Sequence, residues 1–166
     1  MKFNKKTERN FWIMKRKVFV LTGNTGTGKT TVANYLNEFY EMPKVITHTT
    51  RPPRDGEVDQ VDYYFENEAS FGENHYLESV EYSHYRYGSS HEGLERAWEK
   101  NPFITIVLDT AGAITYAREL PDEAVVIYLT VSESSELLTR LEKRGDDVAA
   151  VKALSLIHIS APTRPY

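Results

Sequence analysis

The 166-residue chain has no cysteine. Disulfides and thiolate metal centres are therefore excluded, and the composition suits a reducing compartment such as the cytoplasm. It also lacks any apolar run near the ~20 residues of a membrane-spanning helix, so no membrane partner is expected. Basic charge is scarce outside one end. The net charge is −4, yet residues 1–17 carry seven Lys/Arg against the single acid Glu8, so the rest of the chain stands at −10. A nucleic-acid partner would have only that short basic arm to hold, and none is expected. The arm is not a secretion signal, because "FWIM" is too short for an apolar core and "KRK" follows at once. Residues 1–16 read as a basic N-terminal extension, of which 1–13 precede an expected start at Met14, "MKRKVFVLTG". Repeats and low-complexity tracts are absent, and 40% apolar with 27% charged residues is ordinary for one globular domain. The sequence carries no signal of oligomeric state.

Buried strands and amphipathic helices alternate in what is present. "KVFVLT" (17–22), "KVITHTT" (44–50), "FITIVLDT" (103–110) and "AVVIYLT" (124–130) are apolar, β-branched runs that predict strands. "TTVANYLNEFYE" (30–41), "SSHEGLERAWEK" (89–100), "AITYAREL" (113–120) and "SESSELLTRLEKRG" (132–145) predict helices, the last with a serine cap, acids first and bases last. Strands alternating with helices imply a parallel sheet covered on both faces. Residues 55–90 break the pattern. They are polar, acidic and rich in tyrosine, and "DYYF" and "HYLESVEYS" suggest a small antiparallel excursion.

"GNTGTGKT" (23–30) satisfies G-x-x-x-x-G-K-[ST] at every fixed position, between a predicted strand and a predicted helix. Gly23, Gly26 and Gly28, with Asn24, Thr25 and Thr27, form a loop whose backbone N–H groups can turn inward around a phosphate chain. The following helix, from Lys29 through Thr30 and Thr31, adds its positive end. Lys29 can reach β- and γ-phosphates, and the Thr30 hydroxyl can ligate Mg²⁺. "ITIVLD" ends a hydrophobic strand in Asp109, the layout of a carboxylate that holds Mg²⁺ or its water. A nucleoside triphosphate with Mg²⁺ is thus the expected ligand.

"HTTRPPRDGEVDQVDYYF" (48–65) suggests a second anion site. Pro52 and Pro53 stiffen the loop between Arg51 and Arg54. Two rigidly presented guanidiniums suit a bidentate grip on phosphate, and Tyr63 can add a hydroxyl. "YLE" sets Glu78 in a partly apolar context, where a carboxylate could accept from the ring N–H and amino group of guanine. "YRYGSS" offers Tyr87 and Ser89 beside a glycine.

In their order, "GNTGTGKT", "HTTRPPRDGEVDQVDYYF", "YLE", "YGSS" and "RLEKRG" resemble the motifs of guanylate kinases over about residues 17 to 153. The resemblance implies an α/β P-loop three-layer fold with a parallel sheet, a small mixed β acceptor-binding insertion at about 51–90 and a helical lid at about 132–153. It implies transfer of the γ-phosphoryl of ATP to GMP, with Mg²⁺ as cofactor and ATP and GMP as small-molecule partners. By position, Thr47, Arg51, Arg54, Tyr63, Tyr87 and Ser89 would hold the phosphate side of GMP and Glu78 would read its base. Arg140 and Arg144 would belong to the lid. The chain departs from the family at three places. Thr47 replaces the usual serine, and Ala111 stands where the family has the second aspartate of Asp-x-Asp. Leu154 to Tyr166, "LSLIHISAPTRPY", resembles a translated sequencing adapter with one residue changed. It is read as a non-native tail on a chain that naturally continues beyond Ala153. Another lid arginine, the last strand and the last helix would then be missing, and turnover impaired. Two rivals remain open: a non-catalytic guanylate-kinase-like binding module, which ATP binding would discriminate, and a P-loop kinase with a different acceptor.

Overall fold

The computed structural model describes residues 16–82 and 84–131. The basic extension, the predicted helix at 132–145 with Arg140 and Arg144, and the tail at 154–166 lie outside the described residues.

Strand β1 (Lys17–Gly23) lies between β6 (Phe103–Val107) and β7 (Ala124–Leu129), parallel to both. Parallel neighbours need helical crossovers, and the chain supplies them. Helix α1 (Lys29–Tyr40) leaves β1 and packs on β1 and β6, α3 (His91–Trp98) precedes β6, and α4 (Thr110–Glu119) joins β6 to β7. Alternate β-branched residues Val18, Val20, Ile104 and Ile106 meet Leu94 and Ala97 of α3 and Ala113 and Tyr116 of α4 in the main core. Each fully buried aliphatic side chain there contributes about 1.5–3 kcal/mol.

The run predicted as one strand at 44–50 serves two sheets. Its first part extends the parallel sheet: the Val45 N–H donates to Thr105 O at 2.8 Å, and the Thr105 N–H to Pro43 O at 2.9 Å. Two residues later the chain turns away, with Thr47 O accepting from the Tyr64 N–H at 2.9 Å. Only His48–Thr49 then forms β2, in a second sheet ordered β3 (Tyr64–Phe65), β2, β5 (Tyr85–Ser90), β4 (Tyr76–Tyr82). The second sheet is mixed, as the resemblance implies: β2 runs parallel to β3 but antiparallel to β5, and the antiparallel excursion suggested by the residues is the β4–β5 pair. A short helix α2 (Glu68–Phe71) follows β3, its first N–H groups accepted by the Asn67 side chain. Helix α3 lies within the span predicted at 89–100 and starts after Ser90, whose Oγ accepts from the Gly93 N–H at 3.0 Å. Helix α4 starts three residues before the predicted position because the Asp109 carboxylate caps it, accepting from the Gly112 N–H at 2.7 Å.

His48 ties this second unit together. Its ring is 2% exposed, with Nδ1 2.8 Å from Glu66 Oε1 and Nε2 2.8 Å from Ser90 Oγ. Tyr64 stacks on it at 4.8 Å and Tyr76 meets it edge-on at 5.5 Å; Tyr76 in turn stacks on Phe71 at 4.4 Å. Burial disfavours the Glu66 carboxylate, but hydrogen bonds from Ser70, His48 and Asn74 outweigh it and hold Glu66 below its ordinary value of 4.5.

Two expectations follow from this packing. A Cβ on Gly88 would lie 2.6 Å from Tyr76 Cδ1 and 3.1 Å from Glu78 O, and Tyr76 is wedged between Phe71 and His48. Gly88→Ala is expected to lower stability by about 1–3 kcal/mol, read as a drop in melting temperature. Glu66 is depressed in the fold, so its stabilisation is present above its unfolded value and lost as pH falls below 4.5 through the folded value. Urea unfolding followed from about pH 7 to about pH 3 is expected to lose that component in Glu66→Gln.

Candidate active site

The loop after β1 is built on left-handed backbone. Gly23 has φ +133°, and a Cβ there would sit 2.2 Å from Leu129 O, so no other residue fits. Gly26 and Gly28 also have positive φ. Asn24 O accepts from the Thr27 N–H at 3.3 Å and from Thr27 Oγ1 at 2.8 Å, which closes the loop. Lys29 Nζ donates to Gly23 O and Asn24 O, both at 2.7 Å, and so lies across the loop. Helix α1 begins after Gly28 with no side-chain cap and no acid in its first turn. Its first N–H groups and its positive end are therefore left to an anion. Thr25 is exposed on the loop, and Thr30 and Thr31 are exposed on the first turn of α1.

Asp109 stands beside this loop. The β1–β6 pairing reaches Leu21 and Val107, and the Leu108 N–H donates to Leu21 O at 3.1 Å, which sets Asp109 level with Gly23. One of its oxygens is engaged as the α4 cap. The donor set near the loop, the Thr30 hydroxyl and the Asp109 carboxylate, consists of hard oxygens, which fits Mg²⁺ rather than a softer metal.

A cleft of about 220 Å³ opens between the loop and the second sheet, lined by Thr30, Lys44, Thr47, Asp62, Tyr63 and Val107 among others. Arg51, 8% exposed, lies in the bend two residues after the end of β2. Its Nη1 and Nη2 donate to Glu57 Oε2 and Oε1, both at 2.9 Å, and Nη1 also donates to Pro52 O at 2.7 Å. Two of its five N–H donors, on Nε and Nη2, are not used in these contacts. The guanidinium lies 5.5 Å from the Tyr63 ring and 5.8 Å from the Phe65 ring. The hydrogen bonds that Arg51 donates to Glu57 raise its pKa against the opposing effect of burial, and a hydrogen bond with Tyr87 adds a smaller rise. Tyr63 meets Tyr87 edge-on at 6.4 Å, and burial raises the Tyr63 phenol. Arg54 is exposed, with its backbone N–H on Glu57 Oε2 at 2.8 Å.

The neighbouring strands β4 and β5 carry Glu78 and Ser89. Ser89 Oγ donates to Glu78 Oε1 at 3.0 Å. Burial pushes the Glu78 carboxyl up, the Ser89 bond opposes this, and Asp109 adds to the rise. Behind them Tyr116 Oη donates to Ser89 Oγ at 2.9 Å.

The fold thus sets Thr47 and Tyr63 in one cleft with Thr30, packs Arg51 and Tyr87 against Tyr63, and pairs Glu78 with Ser89 across β4 and β5. Arg54 is held nearby only through its backbone, and Arg140 and Arg144 fall outside the described residues. Glu57 and Tyr116 were not expected from the sequence. The signal for Glu57 is an acid three residues after Arg54, across a turn at Gly56. Tyr116 is a phenol on the otherwise apolar buried stripe of α4, which reads as plain core.

Residues 15–163 match the family model described as guanylate kinase. A guanylate kinase of Thermus thermophilus is 40% identical over 138 residues, aligning 81% of this chain with 62% of that protein. That of Chlamydia muridarum is 33% identical over 148 residues, with 86% and 71% covered. Among solved structures, guanylate kinase from Anaplasma phagocytophilum is similar at a TM-score of 0.65 and 26% identity, covering 89% of this chain and 72% of its own. The chain therefore spans about three fifths of the Thermus relative's length. With the phosphate loop, the parallel sheet and the family match in agreement, this chain belongs to the guanylate kinase family.

Proposed function

We propose that the protein transfers the γ-phosphoryl group of ATP to GMP, giving ADP and GDP, in a cytoplasmic setting. The observation that carries this reading is the shared cleft: Thr30 of the phosphate loop and Thr47 and Tyr63 of the second sheet line the same space. Donor and acceptor phosphates bound to the two walls would face one another there.

In this reading the loop from Gly23 to Thr31 receives the ATP phosphates on backbone N–H groups, and Lys29 neutralises charge on the β- and γ-phosphates. Thr30 and Asp109 would hold Mg²⁺. When bound with ATP, that ion offsets charge on the β- and γ-phosphates. Arg51, already oriented by Glu57 and bonded to Tyr87, would turn its guanidinium to the GMP phosphate, with Arg54, Tyr63, Tyr87 and Thr47 around it. Glu78, held by Ser89, accepts from the base. A GMP phosphate oxygen forms the new bond to the γ-phosphorus as the bond to the ADP oxygen breaks. The residues contribute position and charge rather than covalent chemistry. Arg140 and Arg144 are assigned to the transferring phosphoryl group on their sequence position alone. The acceptor unit at 51–90 is thus one functional division of a domain that begins at 17.

A second reading, a kinase for a different acceptor, is favoured by Ala111, which is exposed in the first turn of α4 and brings no carboxylate to the site. ADP release measured with GMP, dGMP, AMP and UMP separates the two, with GMP expected to be strongly preferred. Failure to bind ATP at all would sink both and leave a binding module. Arg51→Ala and Glu78→Ala are each expected to raise the KM for GMP by roughly 10- to 100-fold, the scale of a hydrogen bond to a charged group. The KM for ATP should not move. Lys29→Ala is expected to cut kcat instead. An equal loss of ATP and GMP binding in the Arg51 and Glu78 variants would overturn the assignment of the walls.

A further inference from the structure

One hydrogen-bond chain runs from the main core to the wall given to the acceptor base, and phosphoryl transfer makes no use of it. Tyr116 Oη donates to Ser89 Oγ at 2.9 Å, and Ser89 Oγ donates to Glu78 Oε1 at 3.0 Å. Tyr116 and Ser89 are both fully buried. Burial also pushes the Tyr116 phenol well above its ordinary range, so it stays protonated and remains a donor.

The direction of this chain has a consequence for recognition. A serine hydroxyl owns one proton. With a permanent donor on one side, Ser89 Oγ presents a lone pair to Tyr116 and turns its single proton toward Glu78. The hydrogen-bond chain then has one polarity, and Glu78 stays an acceptor at its end. Guanine presents two adjacent donors, a ring N–H and an amino group, and matches that edge. Adenine presents a ring-nitrogen lone pair at the corresponding position and sets acceptor against acceptor, which leaves buried polar groups unpaired.

We propose that Tyr116 is a positioning residue for acceptor specificity: by fixing the proton of Ser89 on Glu78 it keeps that carboxylate an acceptor and so selects guanine over adenine. This rests on the GMP reading above. The other charged group that reaches Glu78 is Asp109, from the β6–α4 junction, and it opposes the Ser89 bond. Without the Tyr116 hydroxyl the Ser89 proton is free to rotate, and that bond weakens.

The test is Tyr116→Phe in the full chain, read in two ways. The Glu78 carboxyl is titrated by NMR without ligand, and steady-state constants are measured for GMP, AMP and ATP. Glu78 is expected to titrate at higher pH in the variant. The KM for GMP should rise roughly three- to tenfold, the scale of one neutral hydrogen bond, and the preference for GMP over AMP should fall by a similar factor. The KM for ATP and kcat should hold, which a general loosening of the core would not allow. Ser89→Ala cuts the chain in the middle and should itself raise the KM for GMP. Tyr116→Phe should add nothing in that background. An unmoved Glu78 titration, or the same effect of Tyr116→Phe with and without Ser89, overturns the role of Tyr116. If the unsubstituted chain neither binds nor phosphorylates GMP, the proposed activity fails and takes the specificity role with it. If it does so and Tyr116→Phe is indistinguishable from it, only the role of Tyr116 fails.

Discussion

The second sheet hangs on one buried imidazole. His48 bonds through both ring nitrogens, to Glu66 and to Ser90, and is shut away from water. Each of the three residues joined there is a close neighbour of a group assigned to the acceptor. Thr47 precedes His48, Ser89 precedes Ser90, and Tyr63 lies three residues before Glu66. Two strands of that sheet, β2 and β3, have two residues each and are too short to hold register by themselves. A buried polar network that is fully satisfied specifies one arrangement, because any shift leaves a donor or acceptor unpaired in a dry interior. That arrangement sets where Arg51 begins and how far Ser89 stands from Glu78.

Charge at the site is placed rather than pooled. The chain is acidic overall, and both proposed substrates are polyanions, so a general positive field is not what draws them in. Arg51 is matched by Glu57 before any ligand arrives, which costs net attraction but fixes the guanidinium plane. The phosphate loop works by the same economy of placement. Its helix start is left without a cap or an acid, and Lys29 is folded across the loop carbonyls.

Much of this could be read from the residues, for identifiable reasons. The loop at 23–30 was legible because its glycines fall between a β-branched run and an amphipathic helix, and both flanks formed where expected. The run at 44–50 was not, because β-branched residues favour a strand without saying which sheet will receive it. Its division between two sheets depends on partners at Thr105 and Tyr64 that are distant in sequence. The parallel pairing of β2 with β3 escaped for the same reason, since two residues carry no periodicity. Asp109 was read as a strand-end carboxylate for Mg²⁺ or its water, and its second part as the cap that starts α4 was not read. Glu57 and Tyr116 show the complementary limit. Their importance lies in a partner's geometry, Arg51 for one and Ser89 for the other, and neither residue type advertises that in its own stretch of chain.

The division of the run at 44–50 has a bearing on how such a protein diversifies. The parallel sheet and the acceptor sheet share no strand pairing among the described residues beyond what passes along that one stretch of backbone. The wall assigned to the base under the proposed function, β4 and β5, is mostly solvent-facing on β4 and belongs to a different sheet from the strand that leads into the loop at 23–30. Side chains on that wall can therefore be exchanged without rebuilding the cradle at 23–30. Substrate range becomes a property that drift or an engineer can alter separately from the power to handle triphosphate, with the Tyr116–Ser89 bond as the point where the two histories are stitched together.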